Sequence, residues 1–439
     1  MQFIVKNYSV NNKMIPCIER RIVMNSKAAK STAMNLDGAG IIYPYVATRR
    51  WNSVYRIEAT LKFAVNPTVL ACVIENLSRE YPYFFQTIVR TKTKYILRKC
   101  AFDINTVYSK SAELCKPFDL GSDKPLIRFL YNDRTVALEM FHSLTDGHGA
   151  MELMKQLLRK YRNIIEPNEE ILSEENDNLN SENDIFESIY ENGGKNTSRI
   201  LPSTYQIKTK RSSGFDREII NIPCRELVDS AHRYGVSVAM LLCALQIKAI
   251  ADSQNDVHGY IGVSVPVDLR KMFSVSSCRN SSLYIIVSAK AKDTENFEEL
   301  LKIVQKQFKE KLTKENMQNT AYTNVSSAKL KIFKILPVCI KKPILKFGYS
   351  HLGENQFTTT MTDIGIIRLD DELSRIVEEI FFVLGKQKTK PINTAISTYN
   401  STAKIVVSYD TDCSDFVYAL NGLIDRYITP FDRDGQSKE

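Results

Sequence analysis

The chain has 439 residues, 44% of them hydrophobic and 25% charged, with a formal net charge of +9. At about 150 residues per domain that length implies two to three domains, and the ordinary composition excludes a collagen-like chain, a disordered polymer and a disulfide-stapled miniprotein. The charge is uneven: Glu166 to Glu191 carries ten acidic residues and no Lys or Arg, and removing that −10 leaves the remainder at +19. A body that basic favours anionic partners such as phosphates, a nucleotide-bearing cofactor, nucleic acid or an anionic membrane face.

In chain order, Met1 to Lys13 shows no apolar run with a small-residue cleavage site, so no signal peptide is expected. Val54 to Phe63 alternates and is β-branched and aromatic, hence a strand. Asn66-Pro67 opens a helix with Leu70, Val73, Ile74 and Leu77 on one face. Phe84 to Leu97 reads as a strand pair. Leu126–Leu130 and Val136–Phe141 are strands around the turn dipeptide Asn132-Asp133. A helix is expected from Gly149 to Tyr161. Residues 164–200 are dominated by Asn, Glu, Asp and Ser, which bury too little apolar area to offset ordering, so they read as a linker or surface crossover. Helices follow at Glu226–Arg233 and Ser237–Asp252, and strands at Tyr260–Val267 and Ser282–Ala289. One long helix is expected over Phe297–Met317. Ala328–Phe347 is apolar and lysine-rich, broken by Pro337 and Pro343. Asp363–Arg368, Ile376–Leu384, Thr394–Thr398 and Ala403–Tyr409 read as strands, and Ser414–Arg426 as a closing helix. This order predicts an α/β (α+β) chain with mixed sheets. The expected units are 1–165, an acidic crossover at 166–200, 201–431, and a disordered tail at 432–439.

Nine cysteines are scattered (17, 72, 100, 115, 224, 243, 278, 339 and 413) with no C-x-x-C pair, which reads as reduced thiols in a cytoplasmic protein without a cysteine-held metal. No run approaches the roughly 20 apolar residues of a spanning helix.

The sharpest feature is Phe141-His142-Ser143-Leu144-Thr145-Asp146-Gly147-His148-Gly149, where an apolar strand stops and a helix begins. An imidazole at a sheet rim can take a proton from an attacking hydroxyl or amine. Asp146, on a turn that Gly147 and Gly149 would permit, can fix the loop through backbone N–H groups or a distant arginine. A structural histidine fits the same spacing, and a metal set of His142, Asp146 and His148 is a weaker alternative.

H-x-x-x-D-G at a strand end resembles the motif of the chloramphenicol-acetyltransferase-like superfamily, which includes alcohol O-acetyltransferases, plant BAHD acyltransferases and the condensation domains of peptide synthetases. The segments 50–90 and 125–161 resemble the opening elements of bacterial alcohol acetyltransferase-like proteins. Val265-Pro266-Val267-Asp268-Leu269-Arg270 with Arg279-Asn280, and 394–416, resemble second-half signatures of the same group. Phe141 replaces the first histidine of condensation domains, which favours an acyl-CoA enzyme, and the plant D-F-G-W-G loop is absent. Thr362-Asp363-Ile364-Gly365 stands where relatives often carry Ser-Asn-Leu-Gly.

The resemblance implies two chloramphenicol-acetyltransferase-like subdomains forming a pseudo-dimer around a central tunnel, with His142 midway. It implies direct transfer of an acyl group, acetyl first among them, from acyl-CoA to an alcohol or amine, without an acyl-enzyme or a metal. His142 would be the base, Asp146 and Gly147 would shape its loop, and Arg270 would pair with Asp146. Ser397, Thr398 and Thr362 are candidate oxyanion or substrate contacts. Ser397 and Thr398 fit ordinary sheet residues equally well. A non-catalytic binding relative, or a condensation-type enzyme fed by an acyl carrier protein, are the alternatives. No nucleic-acid motif is present. The six lysines of 328–347 could meet CoA phosphates or a membrane, or simply face water above an apolar stripe. A complete site within one chain implies a monomer.

Overall fold

The computed structural model describes residues 33–48, 51–167, 179, 181–197 and 201–428. Cys17, the N-terminal stretch and the 432–439 tail lie outside them. In chain order the strands are β1 (Met34–Asn35), β2 (Val54–Leu61), β3 (Gln86–Arg90), β4 (Tyr95–Lys99), β5 (Tyr108–Lys110), β6 (Ile127–Asn132), β7 (Thr135–Phe141), β8 (Arg211–Pro223), β9 (Tyr260–Asp268), β10 (Ser282–Lys290), β11 (Thr359–Ile366), β12 (Val377–Val383), β13 (Ile392–Tyr399) and β14 (Thr402–Thr411). The helices used below are α1 (Pro67–Glu80), α2 (Gly147–Ile165), α3 (Ile185–Glu191), α4 (Cys224–Arg233), α5 (Val238–Ser253), α6 (Phe297–Lys311), α7 (Lys314–Ala328), α8 (Val338–Leu352) and α9 (Ser414–Tyr427).

The architecture is mixed α/β, as the alternation of elements predicts. One sheet runs β12-β2-β7-β6-β5, a second β10-β9-β11-β13-β14-β8, and a small one β1-β4-β3. In the second sheet β11 is parallel to both β9 and β13, and the other pairs are antiparallel. Each large sheet carries its own apolar core. Ile57, Leu138, Leu153 and Phe381 belong to the first core, and Leu241, Leu245, Ile261, Leu300 and Ile405 to the second.

Strand β12, from late in the chain, pairs antiparallel with β2 on the edge of the first sheet. The sheets therefore do not divide at a single point in the sequence. On the opposite face of β2 and β7 from the core, Glu139 receives Arg56 and Arg128, each at 2.6 Å, while Glu58 receives Arg217 of β8 at 2.6 Å. Glu139 has no exposed surface, so these charges are tolerable only because they are paired.

Several local expectations need correction. Phe297–Met317 is not one helix: α6 ends at Lys311 and Thr313 caps α7 by accepting from Asn316 N at 3.2 Å. Strand β8, Arg211–Pro223, has no counterpart among the expected elements. Within 166–200 the described part is not all surface crossover. Asp184 caps α3, whose Ile185, Phe186 and Ile189 are buried in the second core. Helix α2 starts at Gly147, two residues earlier than expected.

Candidate active site

The loop between β7 and α2 carries His142. Its backbone is pinned from several directions. His142 N donates to Ser53 O at 2.8 Å, Ser143 Oγ to Gly40 O at 2.8 Å, and Tyr83 Oη to Leu144 O at 2.6 Å. Tyr55 Oη lies 3.0 Å from the carbonyls of both Thr145 and Asp146. Ser53 itself sits at φ 52, a left-handed backbone that costs a serine about 1–2 kcal/mol. That cost is borne immediately beside the histidine, a placement common for strained residues at functional sites.

Asp146 is the N-cap of α2. Its Oδ1 accepts from His148 N and Gly149 N, both at 3.1 Å. Its Oδ2 accepts from Ser281 N at 2.7 Å and lies 2.9 Å from Arg270 Nη1. Burial alone would push this carboxyl up, but the Arg270 charge, with His148 and the donated hydrogen bonds, holds it below the usual carboxylate range. Arg270 is spent on holding structure: Nε donates to Ser277 O at 2.8 Å, Nη2 to Arg279 O at 2.7 Å, and Nη1 to Asp268 Oδ1 at 2.9 Å. Neither Gly147 nor Gly149 has a positive φ, so the turn does not need their backbone freedom. It needs their lack of a side chain: a Cβ at 147 would lie 2.8 Å from Ile364 Cδ1, and one at 149 would lie 2.1 Å from Thr145 Oγ1.

The imidazole of His142 is held by Tyr43, Tyr55 and Asn280. Tyr43 stacks on it, with centroids 4.6 Å apart and planes 9° apart, and Tyr55 meets it edge-on at 5.1 Å. Asn280 Oδ1 accepts from Ser282 N (3.1 Å) and Ser282 Oγ (2.7 Å), which turns Nδ2 toward the histidine. There Nδ2 donates to His142 O at 2.9 Å and lies 3.0 Å from Nδ1. Burial lowers the imidazole pKa below its ordinary 6.5; Asp146 and the carbonyls of His142 and Thr145 work against that shift. The net effect keeps the ring neutral at pH 7, the state a base requires.

His142 lines a cavity of about 490 Å³, together with Tyr43, Trp51, Tyr55, Tyr284 and Tyr349. Ser264, Ser282, Thr360 and Thr362 also line it. Thr362 thus meets the histidine's chamber. Ser397 and Thr398 do not line it, although both lie on the neighbouring β13; Ser397 is buried and its hydroxyl has no hydrogen-bond partner among the described residues. Asp363 stands at a bulge where β11 shifts register; its Oδ1 accepts from Gly365 N at 2.8 Å, and burial pushes its pKa up. His148 points to Asp268 at 3.9 Å rather than joining His142 in a metal set. Sequence reasoning missed Tyr43, Ser282 and the contact from Asn280. The pair Arg279-Asn280 stood out as a signature, but only folding brings it against residue 142.

No family model and no curated protein matches the sequence. Solved structures do resemble the fold. The TRI3 trichothecene 15-O-acetyltransferase from Fusarium sporotrichioides matches with a TM-score of 0.60 at 11% identity, covering 90% of this chain and 94% of that one. The F. graminearum TRI101 complex with coenzyme A and T-2 mycotoxin matches with a TM-score of 0.62 at 11% identity, covering 89% and 97%. The epimerization domain from the third module of tyrocidine synthetase B matches with a TM-score of 0.56 at 10% identity, covering 91% and 97%. At such identities the likeness establishes the fold: this chain has the two-lobed chloramphenicol-acetyltransferase-like architecture shared by acyltransferases and peptide-synthetase domains.

Proposed function

We propose that the protein is an acyltransferase that moves an acyl group from acyl-CoA to a hydroxyl acceptor, with His142 as general base. The observation that carries this reading is the neutral, tightly held imidazole on the wall of the apolar-lined cavity. As the acceptor oxygen attacks the thioester carbonyl, His142 takes its proton. The C–S bond breaks when the tetrahedral intermediate collapses, and the imidazolium returns the proton to the leaving thiolate. The histidine is unchanged at the end, and the acyl group passes directly from the thioester to the acceptor. Thr362 and Thr360 are among the hydroxyls the wall offers to the developing oxyanion, whereas the Ser282 hydroxyl already donates to Asn280 Oδ1. Asp146 and Arg270 hold the loop and take no proton.

The test is thiol release from acetyl-CoA and longer acyl-CoAs against a panel of alcohols and amines. His142→Ala is expected to lower turnover by about 10²–10⁴-fold in a folded protein. Unchanged turnover removes His142 from the chemistry. Faster turnover with a carrier-protein thioester than with the CoA thioester would make the donor a carrier protein, and silence with every donor would leave a binding module.

A further inference from the structure

From the end of α7 through α8 the chain builds one wall of the cavity and, on the other side, an unusual surface. Ala328, Phe333, Leu345 and Tyr349 line the cavity, and Tyr349 stacks on Trp51 at 4.9 Å. The outward positions are apolar: Ile335 is 75% exposed, Phe347 66%, Ile332 62% and Leu330 53%, with Ile340 and Ile344 beside them. Lys331, Lys334 and Lys342 are exposed among these side chains. No acidic residue occurs between Glu315 and Glu354. Most of the large hydrophobic side chains exposed among the described residues therefore fall in one short segment. Scattered apolar exposure is ordinary, but a contiguous patch rimmed by one sign of charge marks a contact surface.

The charge selects the partner. We propose that this segment docks on an anionic lipid bilayer, its isoleucines and Phe347 entering the headgroup boundary and its lysines meeting lipid phosphates. Among the described residues no single helix is long and apolar enough to cross a bilayer, so the contact is with the surface. The same segment walls the chamber, so docking sets the cavity beside the acyl region of the lipid. Resting on the acyltransferase reading above, the acceptor class that fits is an amphiphilic alcohol drawn from the membrane.

The test is sedimentation of the full chain with vesicles of phosphatidylcholine alone and of phosphatidylcholine with phosphatidylglycerol. Binding to the anionic vesicles is expected, falling with added salt. Lys331→Gln, Lys334→Gln and Lys342→Gln together are expected to weaken it on the order of 100-fold, at roughly fivefold per lysine. Ile332→Ser, Ile335→Ser and Phe347→Ser together test the apolar half. All six side chains lie off the cavity wall, and retained thermal midpoints show that the variants fold. Both sets are expected to leave thiol release with a water-soluble alcohol unchanged. His142→Ala is expected to bind vesicles like the parent, so failure of catalysis and failure of docking are read apart. Equal binding to neutral vesicles, binding indifferent to both variant sets, or a salt-resistant dimer that hides the patch and leaves vesicles unbound would each overturn the proposal.

Discussion

Burial and nearby polar groups pull the His142 imidazole in opposite directions, and burial prevails. Burial depresses its pKa, while Asp146 and two backbone carbonyls raise it. The acid limb of the rate profile is therefore expected below pH 6.5. The same depression makes the unfolded chain take up this proton first, so stability falls as pH drops below 6.5 toward the folded value. Asn280→Asp would place a carboxylate against Nδ1, now 3.0 Å from an amide nitrogen. The acid limb should then move up by about 1–3 pH units, as an opposite charge at that range does. A limb that stays put would show that residue 280 does not touch the imidazole in solution. The histidine itself was legible in the sequence because it ends an apolar strand and precedes a capped helix. Tyr43 was not, because nothing in its own neighbourhood marks it; Asn280 stood in a recognisable pair, but its contact with a histidine 138 residues earlier is made only by folding.

At the scale of elements, the loop before α2 and the loop after β9 form one unit, joined by Asp146, Arg270 and Ser281. Arg270→Met would leave the Asp146 carboxylate buried without its cation. A loss of about 3–5 kcal/mol in unfolding free energy is expected, and adding Asp146→Asn should recover part of it. Chemical denaturation of the two variants measures this directly. If Arg270→Met costs less than about 1 kcal/mol, the pair is not a brace. Element positions were readable wherever period and caps agreed. Asn66 accepts from Thr68 N and Val69 N at the start of α1, as Asn-Pro predicts. The helix break after Lys311 was not readable, since Leu312 and Thr313 interrupt no obvious pattern until Thr313 is seen to cap. The oxyanion candidates on β13 were placed by resemblance, and resemblance says nothing about which strand face meets a cavity.

For the whole molecule, the exchange of β12 into the first sheet ties the lobes together. A fragment ending at residue 200 would lack it, leaving β2 with one open edge and Glu58 without Arg217. Such a fragment is expected to show no cooperative melting transition, whereas a chain cut near residue 170 after folding should keep both pieces associated. Circular dichroism of the first and size-exclusion chromatography of the second distinguish these outcomes. A fragment that melts cooperatively would mean that the first lobe is self-sufficient. The mixed α/β class followed from the sequence because local patterns sum to it; the exchange did not, because Val377–Val383 carries no mark of which sheet it will join.

That exchange also bears on how the chain is born. Val377 pairs with Leu61, more than 300 residues earlier. At the ~5–20 residues per second of synthesis, β2 waits on the order of half a minute for its last neighbour. During that wait its edge is a template for any extended segment nearby. Arg56 and Glu58 on that strand are then gatekeepers, discouraging foreign pairing until the proper partner emerges from the ribosome.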